Sequence, residues 1–309
     1  MMLEVLGKTN IDFIEKRHIA FVFSGLLILL GFFAFIQIYM GKANLGIDFA
    51  GGAAIQLKSD RPVRIDEARS LLEKNGFGDV EFQEFPGANR LLIRIKKQEA
   101  IQGRTAEKIL ELFSDQYREN KFQIESSSEI GPTIGKKLQK DAIVAVTLSM
   151  IGIILYIAFR FEFKFGIAAA IATFHDILAV LGVIYILDKE ITLLIITALL
   201  TLAGYSLSDT VVVFDRIREN LKKRNKETFG QVINSSINQV LGRTFMTGLT
   251  SILAVIALYI FGGDVIHDFA LTLLIGIIVG TYSSWFIASP ILFVWGSSRR
   301  EGLLKKAYR

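Results

Sequence analysis

An aspartate and an arginine set among long apolar runs are the residues of this chain best suited to chemistry. Asp209 lies in GYSLSDTVVVFDRIREN (204–220), with Tyr205, Thr201 and Thr197 at four-residue steps before it and Ser208 and Gly204 flanking the row. On a helix this spacing makes one polar face, with leucines and valines elsewhere. A second polar face starts at Arg243 and continues through Thr247, Thr250 and Ser251, at i, i+4, i+7 and i+8. Charge inside a bilayer is costly and marks ion paths and proton relays. A carboxylate and a guanidinium on neighbouring helices relieve each other's desolvation. Arginine keeps its charge, so Asp209 is the member able to change state, with burial and Arg243 acting on its protonation in opposite directions. That balance suits a relay. The same residues also suit a static tie between helices, and Arg243 suits a snorkelling position at the cytoplasmic interface. Both faces are expected to point into the bundle. His175 and Asp176 sit in another apolar run. Neighbours on a helix point about 100° apart, so they are not expected to pair; either suits a relay or a helix-packing hydrogen bond.

The elements that must hold these residues are membrane spans. Half of the 309 residues are hydrophobic, yet about a fifth are charged, and the two populations separate along the chain. A bilayer core of ~30 Å needs roughly 20 apolar residues as helix. Six stretches qualify, at 19–40, 142–159, 165–187, 191–214, 244–263 and 269–296. The first exceeds a signal-peptide core and no A-x-A site follows it, so it reads as an anchor. The fourth span could continue helically into 215–220. In the sixth, Thr272, Gly276, Gly280 and Ser284 recur every four residues, a face for close helix approach. FRFEFKF (159–165) reads as an interfacial turn with aromatics. Lys and Arg crowd the N-terminal segment, the 160–164 turn, the 215–243 loop and the C-terminal tail, whereas the opposite short loops hold only Lys189. Both termini are therefore expected in the cytoplasm.

The resulting organisation is a segment and first span at 1–40, an extracytoplasmic domain at 41–137, a bundle at 138–296 and a basic tail at 297–309. Within the domain, 53–58, 79–85, 90–97 and 121–127 read as strands, and 64–75 and 103–119 as amphipathic helices. The order β-α-β-β-α-β is the ferredoxin-like split βαβ pattern. The fold class is thus an α-helical polytopic membrane protein with an inserted α+β domain between spans one and two. The domain shows mixed charge and no catalytic cluster; a contact with another polypeptide, by strand addition at a sheet edge, suits it.

Several chemistries are disfavoured. Without cysteine there is no disulfide, thiolate or Cys-ligated metal site, and three scattered histidines argue against a His-based one. GPTIGKK (131–137) is one residue short of a phosphate loop and lacks its Ser or Thr. The motifs of an intramembrane protease are missing, and no nucleic-acid partner is expected.

Taken together, these blocks resemble the SecF family, the smaller subunits of bacterial SecDF translocation accessory complexes, within the RND superfamily. The likeness covers essentially the whole chain. It rests on IDFIEKRHIAFVFSGLLILLG (11–31), GIDFAGG (46–52) with Gly46, Asp48, Gly51 and Gly52, IGPTIGKKL (130–138), RFEFKFG (160–166), FHD (174–176), AGYSLSDTVVVFDRIREN (203–220) and RTFMTGLTS (243–251). Phe163 stands where a Trp is common. The resemblance implies half of an RND-type unit, completed by SecD, beside the SecYEG channel, with YajC and YidC as further partners and an unfolded secreted polypeptide as cargo. It implies residence in the bacterial inner membrane, no cofactor, and a proton or sodium gradient as the ATP-independent energy source. It also implies that Asp209 and Arg243 serve ion passage, with Thr201, Tyr205, Ser208, Thr247, Thr250 and Ser251 as supporting polar groups. The rival readings are half of an RND-type exporter of small molecules or lipids, and a passive assembly factor without ion coupling.

Overall fold

The computed structural model of the chain describes residues 9–78, 80–85, 89–96, 104–223 and 227–295. The basic tail at 297–309, and the Pro86-Gly87-Ala88 part of the expected turn, lie outside them. The chain divides into two compact units. One takes in the chain up to Asn44, Ala145–Lys189 and the chain from Leu194; the other takes in Leu45–Val144 and Glu190–Leu193.

The second unit carries a four-stranded antiparallel sheet of order β2-β3-β1-β4, from β1 (Gly52–Ser59), β2 (Val80–Phe85), β3 (Arg90–Lys96) and β4 (Phe122–Ile130). Its helices are α2 (Ile47–Ala50), α3 (Ile65–Lys74) and α4 (Thr105–Gln116). Alternation along the strands sends one face inward. Ala53, Ile55 and Leu57 of β1 meet Leu91, Ile93 and Ile95 of β3 under Leu72 of α3 and Ile109 and Phe113 of α4, all buried. Phe113 and Phe122 close the end of this core edge to face, 5.4 Å between ring centres. The ferredoxin-like pattern read from the sequence is therefore the observed one.

Among the described residues, six helices are long and apolar enough to cross a membrane: α1 (Arg17–Tyr39), α5 (Pro132–Arg160), α6 (Phe163–Ile186), α7 (Leu193–Lys223), α8 (Phe229–Phe261) and Ile266–Trp295, which begins within α9 (Asp264–Ser283) and passes through a π turn at Ser284–Ala288. They belong to the first unit except for α5 up to Val144 and for Leu193. The chain is a multi-pass membrane protein. Glycines let two of these helices touch. A Cβ on Gly182 of α6 would lie 2.9 Å from the Gly31 nitrogen of α1, so α1 and α6 cross backbone to backbone.

One expectation needs correction. Most of the stretch read as a 215–243 loop is helix: α7 runs on to Lys223, past the 220 that the sequence allowed, and α8 begins at Phe229. At ~1.5 Å per residue, 31 residues of α7 span about 46 Å, well beyond the ~30 Å apolar core. The extension is polar, which is why a hydropathy window stops short of it. It is held by Arg216 Nε donating to Gln239 Oε1 (2.6 Å) and Asn220 Nδ2 donating to Ser236 Oγ (2.9 Å), and α8 starts with a Thr228–Gln231 capping box. The N-terminal segment is fixed to the same extension. Asn234 Oδ1 accepts from the N–H groups of Phe13 and Ile14, both at 3.1 Å, and Asn238 exchanges two bonds with the Ile11 backbone. Phe13 is thereby buried against Trp285 and Phe286.

Candidate functional site

The most enclosed polar cluster lies where α6, α7 and α9 meet. Gly280 of α9 opens the space: a Cβ there would fall 3.0 Å from the Ser206 Cβ of α7. Gly276, one turn earlier, faces Leu202 in the same way, so the small-residue stripe of the last span packs on α7. The close approach brings three helices onto one carboxylate. Asp176 Oδ2 accepts from Ser206 Oγ and from Ser283 Oγ, the latter at 2.8 Å. Asp176 Oδ1 lies 2.8 Å from His175 Nδ1. This overturns the expectation that His175 and Asp176 do not pair. Their Cα–Cβ bonds do diverge, but both side chains are sealed inside the helix packing, and the near nitrogen of the ring reaches along the helix to the neighbouring carboxylate. His175 is 1% exposed and Asp176 0%. Beside them Thr210 Oγ1 and Ser284 Oγ are 2.9 Å apart. The π turn begins at this point, and the consecutive serines there serve two helices, Ser283 toward α6 and Ser284 toward α7.

Asp209 occupies a different environment. It is 6% exposed, one of its carboxylate oxygens is buried without a hydrogen bond, and the α8 groups acting on it are Thr247 and Arg243. No ion pair joins Asp209 to Arg243 among the described residues. The two charges are neighbours across a gap, not a closed tie. Tyr205, half-buried one turn away, turns its hydroxyl toward Ser251, Thr281 and Thr247, and the oxygen is buried without a hydrogen bond of ordinary geometry.

The rest of the two polar faces does not point into this chain's own bundle, contrary to expectation. Thr201, Ser208, Arg243, Thr247 and Thr250 are exposed, and Ser251 is half-buried. Three of the hydroxyls turn back on their own helices: Thr201 to the Thr197 carbonyl (2.8 Å), Thr247 to Thr244 (2.9 Å) and Thr250 to Met246 (3.0 Å). The helical spacing identified a shared face correctly; it carried no information on whether this chain alone would cover it.

In the second unit, the glycines after the first span build a tight turn. Gly51 (φ +76) and Gly52 (φ +135) adopt backbone conformations that side chains resist, which lets α2 reverse directly into β1. A Cβ on Gly46 would strike the Thr192 methyl at 2.6 Å, and one on Gly135 would sit 3.1 Å from the Phe49 carbonyl oxygen. Asp48 Oδ2 accepts from the N–H of Leu193 (2.8 Å), the first residue of α7, so Asp48 caps that helix from a distant part of the chain. The Gly-Asp block therefore ties residues 45–52 to 190–193, alongside a bridge between Leu45 and Ile191.

Comparison with known proteins fits this architecture. Residues 110–298 match the family "Protein export membrane protein SecD/SecF, C-terminal", and residues 42–63 match the "SecD/SecF GG Motif". The protein translocase subunit SecF of Thermodesulfovibrio yellowstonii is 51% identical over 308 residues, covering 99% of this chain and all of the relative. The chain belongs to the SecF family. The SecF of Calditerrivibrio nitroreducens is 41% identical over 300 residues, covering 96% of this chain and 98% of its own. Among solved structures, SecDF of Thermus thermophilus, described as a translocon-associated membrane protein, superposes with a TM-score of 0.82 at 34% identity. That match covers 96% of this chain and 40% of the SecDF chain. SecDF in its super-membrane-facing form gives a TM-score of 0.70, again at 34% identity. This SecF-family chain is a protein translocase subunit, and its role lies in protein export.

Sequence reasoning singled out Asp209, His175 and Asp176 in the SecF bundle but missed Ser206, Ser283 and Thr210. Serines in apolar runs give no signal of their own. Only the small-residue row Thr272–Gly276–Gly280–Ser284, which marks where helices touch, pointed toward them.

Proposed function

We propose that this chain pairs with SecD to complete one RND-type unit that couples a proton or sodium gradient to the late, ATP-independent movement of unfolded polypeptide through the SecYEG channel. Asp209 binds the ion and Arg243 tunes its charge. The observation that carries this reading is a buried Asp209 carboxylate oxygen without a hydrogen bond, set on a polar face that this chain leaves open at membrane depth. Exposed hydroxyls and an arginine are poor lipid neighbours. A second helical half covering them fits both the cost and the fact that this chain spans 40% of the solved SecDF chain. The basic N-terminal segment and the basic α7–α8 extension support a reading with both termini in the cytoplasm, in the bacterial inner membrane. The Asp209–Arg243 gap suits an ion carrier better than a static tie, since a closed ion pair would hold the carboxylate in one state.

The energy scale is adequate. One proton crossing ~150 mV delivers about 3.5 kcal/mol, enough to shift a two-state bundle by more than a hundredfold. The test is Asp209→Asn in vesicles holding the assembled complex, with ATP exhausted and a gradient imposed. Gradient-driven completion of translocation is expected to fall to background while the complex still assembles. Undiminished completion would sink the reading.

A further inference from the structure

We infer that His175 and Asp176 form a second proton-holding site, enclosed within this chain and separate from Asp209. The inference takes its purpose from the gradient-coupled reading above, but its geometry stands independently. Asp176 is fully buried and both of its oxygens are engaged: Oδ2 accepts two serine hydroxyls and Oδ1 faces His175 Nδ1. With Oδ2 an acceptor twice over, the simplest arrangement has Nδ1–H donating to Oδ1. The far nitrogen, Nε2, is then a lone pair, and it is buried without a hydrogen-bond partner. A buried polar atom with no partner calls for an explanation, and here the atom is the one on which an imidazole takes up a proton.

The charge balance points the same way. With a neutral ring and an ionised Asp176 the cluster holds one uncompensated negative charge in an apolar interior, a costly state. A proton taken from water forms an N–H bond at Nε2, converts the ring to imidazolium, and leaves the cluster neutral as an imidazolium–carboxylate pair. The groups facing Asp176 are His175 from α6 itself, the Ser206 hydroxyl from α7 and the Ser283 hydroxyl from α9. α1 crosses α6 through Gly31 and Gly182 and brings no charge to that crossing. No lysine or arginine faces Asp176 among the described residues to fix the pair in one state.

The position gives the site a use. Ser206 stands three residues before Asp209 on α7, and Thr210 of the same helix meets Ser284 at the start of the π turn. Loading or unloading the cluster changes what holds α7 to α6 and α9, beside the carboxylate proposed to bind the coupling ion. The histidines of the chain number three, at 18, 175 and 267, so the site can be read directly.

The test is nitrogen-15 magnetic resonance of the membrane-embedded complex, assembled with this chain alone labelled at histidine and titrated from about pH 5 to about pH 9, where imidazoles change charge. His175→Gln assigns the signal by deletion. The expected result is that both His175 nitrogens change with pH and that this persists in Asp209→Asn. In Asp176→Asn the pH response of the His175 signal is expected to change, because the adjacent carboxylate is lost. Should Asp176→Asn fail to assemble, Ser283→Ala, which removes one hydrogen bond from the carboxylate, is expected to change that response too. A His175 signal that keeps one form across the range, or that ignores both substitutions, overturns the proposal. Because the readout is protonation, a failure here leaves the Asp209 translocation result standing, and a failure there leaves this one standing.

Discussion

Replacing Gly31 by alanine puts a methyl group where α1 crosses α6. The new Cβ would lie 2.6 Å from the Leu178 carbonyl carbon and 2.8 Å from the Leu178 Cβ, and would also overlap the carbonyl oxygen. These are backbone and near-backbone atoms that cannot rotate aside, so the helices must separate. Forcing a methyl into a packed contact costs about 1–3 kcal/mol, and alanine returns up to about 1 kcal/mol through its helix preference. The net loss is about 0–2 kcal/mol. At two to four degrees per kcal/mol, the scale for chains of about 150–250 residues, thermal unfolding should move down by up to about 8 °C. Two other helix glycines give the scale. Gly25 of α1 has nothing within 4 Å of its would-be Cβ, so Gly25→Ala should be neutral or slightly stabilising. The atoms nearest a Cβ on Gly276 are the Leu202 methyls, at 2.7 and 2.8 Å, and its Cγ at 3.1 Å, all on a side chain that can turn away, so Gly276→Ala should fall between. The assay is the temperature at which detergent-solubilised complex loses its monodisperse chromatographic peak. If Gly31→Ala is as stable as Gly25→Ala, the backbone crossing of α1 and α6 is wrong.

Asp48→Ala removes the acceptor of the Leu193 N–H, a cap contribution of about 1 kcal/mol. Amide exchange at 190–194 should quicken by roughly fivefold, while an unchanged rate would show that the cap carries no stability. The backbone N–H of Glu15, 2.9 Å from Asp12 Oδ1, holds the Asp12 carboxyl below its ordinary value, with Asn234 adding to the effect. A lowered folded value means that this contribution is present above the ordinary carboxylate range, near pH 4, and is lost as pH falls through the lowered value. Protection of the N-terminal segment should thus differ between wild type and Asp12→Asn near pH 7 and converge below about pH 3; a difference that persists in acid refutes the assignment. Asp12 is exposed, so the effect should be small.

Periodicity made much of this architecture legible. Apolar spacing along 53–58, 79–85, 90–97 and 121–127 and along 64–75 and 103–119 placed the strands and helices of the small unit within a few residues. Apolar length placed the six spans. Two kinds of information were out of reach. The polar ends of α7 and α8 stay helical through side-chain bonds such as Asn220 to Ser236, and a hydropathy window reads such residues as loop. The pairing of His175 with Asp176 depends on side-chain torsions within a sealed interior, whereas sequence spacing fixes only the Cα–Cβ directions. For the Asp209 face, spacing located the stripe but could not tell which molecule covers it, because Thr201 and Thr250 read the same whether they face this chain or another.

The π turn at Ser284–Ala288 bears on how the chain tolerates change in length. A wide turn holds one residue more than an α-helical turn does, so the last span carries a spare residue at one known place. Deleting a residue there would relax the turn to ordinary helix and leave Leu292 facing the core it now joins. The same deletion a few turns earlier would rotate everything after it by about 100° and expose that side. Ser283 and Ser284 lie before or at the start of the turn, so a shortened span would keep their links to α6 and α7. Length variation in this span is therefore confined by packing to the turn.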